Sequence, residues 1–406
     1  MNGLAPPVDH ANMKGVSTDP VATEPSERKQ NMRATEHDVV FEAVEEDAKM
    51  TKKIKFGVCG IGRIGIQHCQ FFSQDRDRYE LTALCDLDPA RVEAAQAEFG
   101  GRGYTDFAEF LADPELELAI IATRSLDHAR NAEQALAAGK TVLLEKPIGV
   151  TAEDYRILQR LVGTHPGQLF FGHNHRFEPA FRNTQAILAQ GLLGNVHVIK
   201  LCKHHAFMRR NDWQMRLDCG GGQLSVWGPH LLDQGLQLLG APVREVRSDL
   251  RRILTPGDAD DHVHITLVGE NDVVAELEIS NAVALPGPYC TLYGDRGALR
   301  YDQDQKTIHL KYLDPNFQWP EASAQAETPA LSQGMCAERE LPWIEETRQV
   351  MPATSLWHQV EIEMVRHLFN ALRQNIPFPV KSAEALEVVR ITEIVKRQNP
   401  QFQWVG

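Results

Sequence analysis

A chain of 406 residues, 43% hydrophobic and 24% charged, has ordinary globular composition and is long enough for two domains. Its net charge of −13, with no lysine- or arginine-rich block, leaves no footprint for nucleic acid or for an anionic membrane surface. Seven scattered cysteines without a CxxC pair suit free thiols in a reducing cytoplasm better than a disulfide framework. No apolar run approaches the roughly 20 residues of a membrane span.

Residues 1–50 are rich in Glu, Asp, Ser, Thr and Pro and show no sustained apolar period. They lack the apolar segment of a secretory signal. They cannot bury enough surface to offset ordering entropy, and so read as a disordered tail. Met50 stands just before Thr51-Lys52-Lys53-Ile54, where chains with the following turn often begin. The tail is therefore either part of the protein or the product of a misassigned start.

From residue 54 the pattern alternates strand and helix, the mark of a parallel sheet. A buried strand over 54–59 runs into Gly60-Ile61-Gly62-Arg63-Ile64-Gly65, followed by a helix over 63–73. This is the dinucleotide-binding turn. Gly60 allows the tight turn, Gly62 lets the backbone approach a pyrophosphate, and Gly65 lets helix and strand pack closely. The helix N-terminus, at Arg63 and Ile64, offers free N–H groups to the phosphates. A second strand, 81–85, ends in Asp86, 21 residues past Gly65, where an acid should meet a ribose hydroxyl. Such an acid accepts from the 2′-OH and repels a 2′-phosphate, which favours NAD, with NADP as the alternative. Further helices are expected over 89–99, 106–111, 126–138 and 152–162, and strands near 103–104 and over 118–122, 141–144 and 168–173. The first domain, 51–173, closes there.

The second domain, 174–406, changes character. After a helix over 179–190 come strands near 196–203, 244–254, 262–269, 273–280, 289–293, 298–301 and 306–312, implying a mostly antiparallel sheet. One helix, 225–239, interrupts them. Residues 313–352 read as a long polar surface connection, and helices over 357–373 and 383–397 close the chain. The fold class is thus α/β: a Rossmann domain followed by an α/β domain with an open sheet.

The turn, Asp86, Ala122-Thr123 with His128, Glu145-Lys146-Pro147, and Gly220-Gly221-Gly222 followed by His230 and Asp233 together resemble the Gfo/Idh/MocA oxidoreductases, the glucose–fructose oxidoreductase and inositol dehydrogenase group. The resemblance runs from about residue 53 to 400. It implies NAD(P)-dependent redox chemistry on a sugar, cyclitol or sugar acid, and a homodimer or homotetramer assembled through the open sheet. It places Thr123, His128 and Glu145 at the cofactor, Lys146 beside the nicotinamide and the reacting oxygen, and His230 as general acid/base. The chemistry is sensible in itself: hydride leaves a carbinol carbon as the hydroxyl proton departs to a base, and a cation stabilises the alkoxide. Arg176 resembles a pocket position of the family, and Trp213 and Trp227 could stack on a sugar face or belong to the core. Pro147 could take the cis form.

Two departures stand out. Val226 replaces the aspartate usual four residues before the histidine, so His230 acts alone or with another acid. Arg124-Ser125 replaces a common Pro-Asn, and Arg124 is either a phosphate or acid contact or a solvated loop residue. A non-catalytic regulator of the same fold, or a redox-neutral NAD-dependent glycosidase, are the competing readings. His173, His175, His204 and His205 suggest a metal, but no HExxH accompanies them, and no metal is expected.

Overall fold

Strands whose residues are sealed on both faces build the centre of the first sheet. The computed structural model describes residues 52–403 apart from Arg210, Pro329, Leu331, 333–339 and 351–354; the expected tail, 1–50, lies outside the described residues. Elements alternate as β1 (Ile54–Cys59), α1 (Arg63–Gln74), β2 (Tyr79–Cys85), α2 (Pro89–Phe99), β3 (Arg102–Tyr104), α3 (Phe107–Leu111), β4 (Leu118–Ile121), α4 (His128–Ala137), β5 (Thr141–Leu144), α5 (Ala152–Thr164) and β6 (Leu169–Phe171). The six strands are parallel in the order β3-β2-β1-β4-β5-β6. All four residues of β4 are fully buried, as a strand covered by helices on both faces must be. β1 has β2 on one side and β4 on the other, so the chain reverses its direction of growth there. That opens a crevice at the carboxyl ends of β1 and β4, where such sheets bind ligands.

The second sheet has eight strands: β7 (Val196–His204), β8 (Val243–Arg251), β9 (His262–Gly269), β10 (Val274–Ser280), β11 (Cys290–Gly294), β12 (Gly297–Tyr301), β13 (Thr307–Leu313) and β14 (Trp343–Gln349). Their order is β14-β13-β12-β11-β7-β10-β9-β8, antiparallel except for β7 with β10. Burial alternates residue by residue along β9, so one face meets the core and the other is more open. β14 corrects the expected 313–352 excursion. Its sequence, WIEETRQ, has no apolar alternation to reveal a strand, because it is a charged edge strand tied to β13 by Lys311–Glu345 at 2.6 Å.

After α6 (Pro179–Ala189), the inner face of this sheet is covered by the segment expected as one helix over 225–239. It is two helices, α7 (Gln223–Val226) and α8 (Gly228–Leu239), broken at Trp227, with Pro229 in the first turn of the second. Pro229 has no N–H to continue the ladder.

The last two helices, α9 (Leu356–Arg373) and α10 (Ser382–Gln398), refine the expected division at residue 173. α9 returns to the first core with Val360, Met364, Leu368 and Phe369, and Tyr79 Oη donates to Val365 O at 2.9 Å. α10 puts Ala385, Leu386 and Val389 into the first core and Val388, Ile391 and Val395 into the second. Two faces of one amphipathic helix thereby join the two cores.

Candidate active site

The three glycines of the first turn separate by what a side chain would meet. A Cβ at Gly60, whose φ is +91°, would lie 2.5 Å from the Ala122 carbonyl, at the crossing of β1 and β4. At Gly65 it would lie 2.0 Å from Gly60 O, between helix and strand. At Gly62 it would meet nothing within 4 Å. Gly62 caps α1 without any side-chain hydrogen bond to the helix N–H groups, and the neighbouring Arg63 is exposed. Uncapped donors facing open space form a cradle that fits a pyrophosphate. Asp86 stands at the end of β2 with about 10% of its side chain exposed. Its Oδ2 accepts from Ile61 N at 2.8 Å and its Oδ1 from Asp88 N at 3.0 Å, so the acid also braces the cradle.

The loops after β4 and β5 are tied by His128. Its Nδ1 lies 2.8 Å from Pro147 O and its Nε2 3.1 Å from Thr123 O. Burial, the foremost effect, favours the neutral ring. A neutral ring has one N–H, so the buried His128 donates to one of these two carbonyls and packs against the other, between the two loops. Thr123 Oγ1 accepts from Asn131. Glu145 is also turned inward. It pairs with His68 Nε2 at 2.9 Å and accepts from its neighbour's backbone, Lys146 N, at 3.1 Å. Burial would raise the Glu145 carboxyl, but the His68 hydrogen bond and charge outweigh it and the carboxyl sits below its usual range. Behind them Glu361 of α9, 3.9 Å from His68 Nδ1, is pushed up to about 7 by burial. The sequence carries no sign of this His68–Glu145–Glu361 group, because the partners come from three distant segments.

The Lys146–Pro147 bond is cis. Lys146 Nζ lies 3.5 Å from Val226 O, at the outer edge of a hydrogen bond. Burial lowers its pKa. Val226 is only partly buried. His230 follows it, beyond the break, 3% exposed. Burial, and then the fields of His175, Lys146, His173 and Lys203, hold His230 well below the ordinary histidine pKa, so its ring is neutral.

Trp227 is the hub of this cluster. His175 lies 5.2 Å from its ring, His230 5.5 Å and His205 6.0 Å, with Lys203 Nζ 4.6 Å above its face. His175 and His230 touch, with ring centroids 3.8 Å apart. Burial lowers Lys203, and burial with the nearby cations brings His205 to about 4. Trp213 sits elsewhere, under the Arg124 guanidinium at 5.9 Å, a contact between the loop after β4 and the second half of the chain.

Arg176 is not brought to the cluster as a substrate contact. It is 7% exposed and holds Asp233 through Nε at 3.0 Å and through Nη2, Glu384 through Nη1, and Pro379 O at 2.9 Å. That pairing also explains Asp233: it neutralises Arg176 and is not a stand-in for the aspartate absent at 226.

Among the described residues, one group of metal-type ligand atoms, from Cys202, His204 and Glu278, comes within 4.8 Å. Gly287 N donates to His204 Nδ1 at 3.2 Å, which places the ring proton on Nε2, 3.4 Å from Glu278. A protonated Nε2 suits a hydrogen bond to the carboxylate rather than metal ligation. The six cysteines among the described residues are free, and no described helix is long and apolar enough to cross a membrane.

The strand order and the open cradle define a dinucleotide-binding Rossmann protein with a second, mostly antiparallel domain. Comparison of the sequence with protein families agrees. Residues 54–173 match the oxidoreductase family with an NAD-binding Rossmann fold, and residues 181–300 match the GFO/IDH/MocA C-terminal domain. The chain belongs to this oxidoreductase family. It is similar to inositol 2-dehydrogenase of Rhizobium meliloti (strain 1021), 28% identical over 264 residues, covering 64% of this chain and 78% of the relative. It is also similar to the scyllo-inositol 2-dehydrogenase (NADP(+)) IolW of Bacillus subtilis (strain 168), 24% identical over 345 residues, covering 84% and 92%. The WlbA dehydrogenase from Bordetella pertussis, solved in complex with NADH and UDP-GlcNAcA, shares the fold, with a TM-score of 0.69, 20% identity, and coverage of 86% of this chain and 96% of that one.

Proposed function

We propose that the protein is a dehydrogenase that moves a hydride between NAD and a hydroxyl-bearing carbon of a sugar-like substrate, with an acidic sugar derivative the best fit. The observation that carries this reading is the position of Lys146 Nζ, 3.5 Å from Val226 O, where the chain turns into the helix of His230. The bound nicotinamide would accept or give the hydride. Gly60, Gly62, Arg63, Ile64 and Gly65 would hold its pyrophosphate and Asp86 its adenosine ribose, giving NAD preference over NADP. Lys146 would stabilise the developing alkoxide, and His230 would line the reacting centre.

The preference for an acid comes from the charges around the cluster. Lys146 and Lys203 both raise the local positive potential. Of the acids there, Glu145 is paired with His68, Glu178 accepts hydrogen bonds from His175 and two glutamine amides, and burial pushes Glu361 towards its neutral form. A carboxylate on the substrate would balance that field, whereas an aspartate at 226 would have done so in a neutral-substrate enzyme. Trp227 offers a face for a sugar ring. Free thiols suit a reducing cytoplasm, and the open face of the second sheet suits a homodimer or homotetramer.

The test is a panel of neutral polyols and sugar acids, each offered with NAD and NADP separately, followed by the absorbance of reduced nicotinamide. Turnover of an acid with NAD is the expected result. Cofactor binding without turnover of any panel member would favour the non-catalytic regulator instead.

A further inference from the structure

We propose that Nε2 of His175, backed by the Glu178 carboxylate, is the proton acceptor of this site and takes the place of the carboxylate missing at position 226. The proposal rests on the dehydrogenase reading and adds a catalytic residue to it.

Residues 174–177 form one 3₁₀ turn between β6 and α6, and Glu178 follows at the start of α6. His175 Nδ1 lies 2.7 Å from Glu178 Oε1. The carboxylate is also held by Gln234 Nε2 at 2.7 Å and Gln305 Nε2 at 3.3 Å. Tyr289 Oη donates to Gln234 Oε1 at 2.9 Å, which fixes the orientation of that amide. Glu178 is thus ionised and acceptor-only, surrounded by donors, and its pairing with His175 requires the imidazole proton on Nδ1. On the neutral ring this leaves the lone pair on Nε2. The His175 side chain keeps 10% of its surface exposed while Glu178 keeps 1%.

His230 has the opposite surroundings. Its Nδ1 is buried without a hydrogen-bond partner, and no carboxylate pairs with it among the described residues. An imidazolium formed on His230 would stand among cations. One formed on His175 would be met by Glu178, the arrangement that lets a buried carboxylate steady a charged histidine. The two rings are 3.8 Å apart, so a substrate hydroxyl held at His230 by Lys146 is also within range of His175. The groups around His175 are Glu178, which follows its turn, His230 and Trp227 on or next to α8, and Trp357 on α9, with Lys203 of β7 over the Trp227 face.

In the oxidation direction the carbinol C–H bond would break, with bound oxidised nicotinamide supplying the acceptor for its electron pair as hydride. The O–H bond breaks as well. Its electrons form the carbonyl, and its proton goes to His175 Nε2. Reduction runs the same transfers in reverse.

The first test needs neither cofactor nor substrate. In protein labelled with ¹⁵N-histidine, the His175 ring should be the Nδ1–H tautomer, and Glu178→Gln should disturb that signal most. A ring found as the Nε2–H tautomer would overturn the proposal. The second uses the substrate found in the panel. His175→Gln should lower kcat about 10²–10⁴-fold and remove the acid limb of the pH–rate profile, with cofactor affinity and melting temperature retained. Glu178→Gln should lower kcat and move that limb to lower pH, and His230→Gln should leave the limb where it is. A limb that persists in His175→Gln and vanishes in His230→Gln would assign the base to His230. That result would sink the dyad alone, whereas an unmodified protein that turns over nothing would sink the dehydrogenase reading.

Discussion

Lys146 Nζ and the carbonyl oxygen of Val226 are 3.5 Å apart, and the oxygen is available because the helix breaks there. In an unbroken helix His230 N would bond Val226 O; here it bonds Trp227 O at 3.1 Å instead. The break at Trp227 and Pro229 thus turns a backbone acceptor towards the lysine of the first domain. Lys146→Met should abolish this contact and lower kcat about 10²–10³-fold, the usual scale for losing a group that stabilises a developing oxyanion. Cofactor affinity, read by fluorescence titration, should stay within a factor of a few. Unchanged turnover would remove Lys146 from the chemistry.

Val226→Asp places a carboxylate beside Lys146 in the cationic cluster. It should compete with an acidic substrate for the same field, raising KM for the sugar acid by about tenfold or more, one pKa unit's worth of interaction. A clear gain in activity on the native substrate would show that the site works as a weakened version of the aspartate-containing kind.

Asp86→Ser removes both a ribose acceptor and the brace on Ile61 N. NAD affinity should fall about tenfold, the value of roughly one hydrogen bond to a charged group. The preference over NADP should narrow. Tighter NADP than NAD binding by the unmodified protein would overturn the cofactor assignment.

Arg176→Met leaves Asp233 buried without its partner. Breaking such a pair typically costs about 3–5 kcal/mol, so the denaturant midpoint should drop sharply whether or not substrate is present. A variant of normal stability with a raised KM would return Arg176 to the substrate pocket.

Glu361 makes stability fall as pH rises. Its folded pKa is about 7 against an ordinary 4.5, so between those values the folded protein holds a proton that the unfolded chain releases. His68, raised by its two carboxylates despite burial, acts in the same direction. Between pH 5 and 8 the unmodified protein should therefore lose stability relative to Glu361→Gln, by up to roughly 3 kcal/mol. Parallel stability curves for the two proteins would show that Glu361 does not hold its proton.

Much of the fold was legible because its signals are local. The strand over 54–59, the helix over 89–99 and the strands over 141–144 and 262–269 are found at the residues that periodicity and turn chemistry assign. Each depends on neighbours within a few positions. The same holds for Gly60, Gly62 and Gly65, where steric demands on the backbone leave glycine as the signature. The misread stretches are those whose local pattern points elsewhere. β14 has no apolar face because it lies at an edge, and the apolar periodicity over 225–239 runs through a break that Gly228-Pro229 marks.

What the tertiary structure alone decided is which buried charge meets which. Arg176 and Asp233 are 57 residues apart, and His68 and Glu145 77 apart. A buried charge must find a partner whatever its separation along the chain, and packing chooses that partner. The sequence therefore announces a dinucleotide cradle, with Lys146 and His230 as residues of interest. Only the fold shows Arg176 spent on Asp233, and His175, held by Glu178, laid against His230.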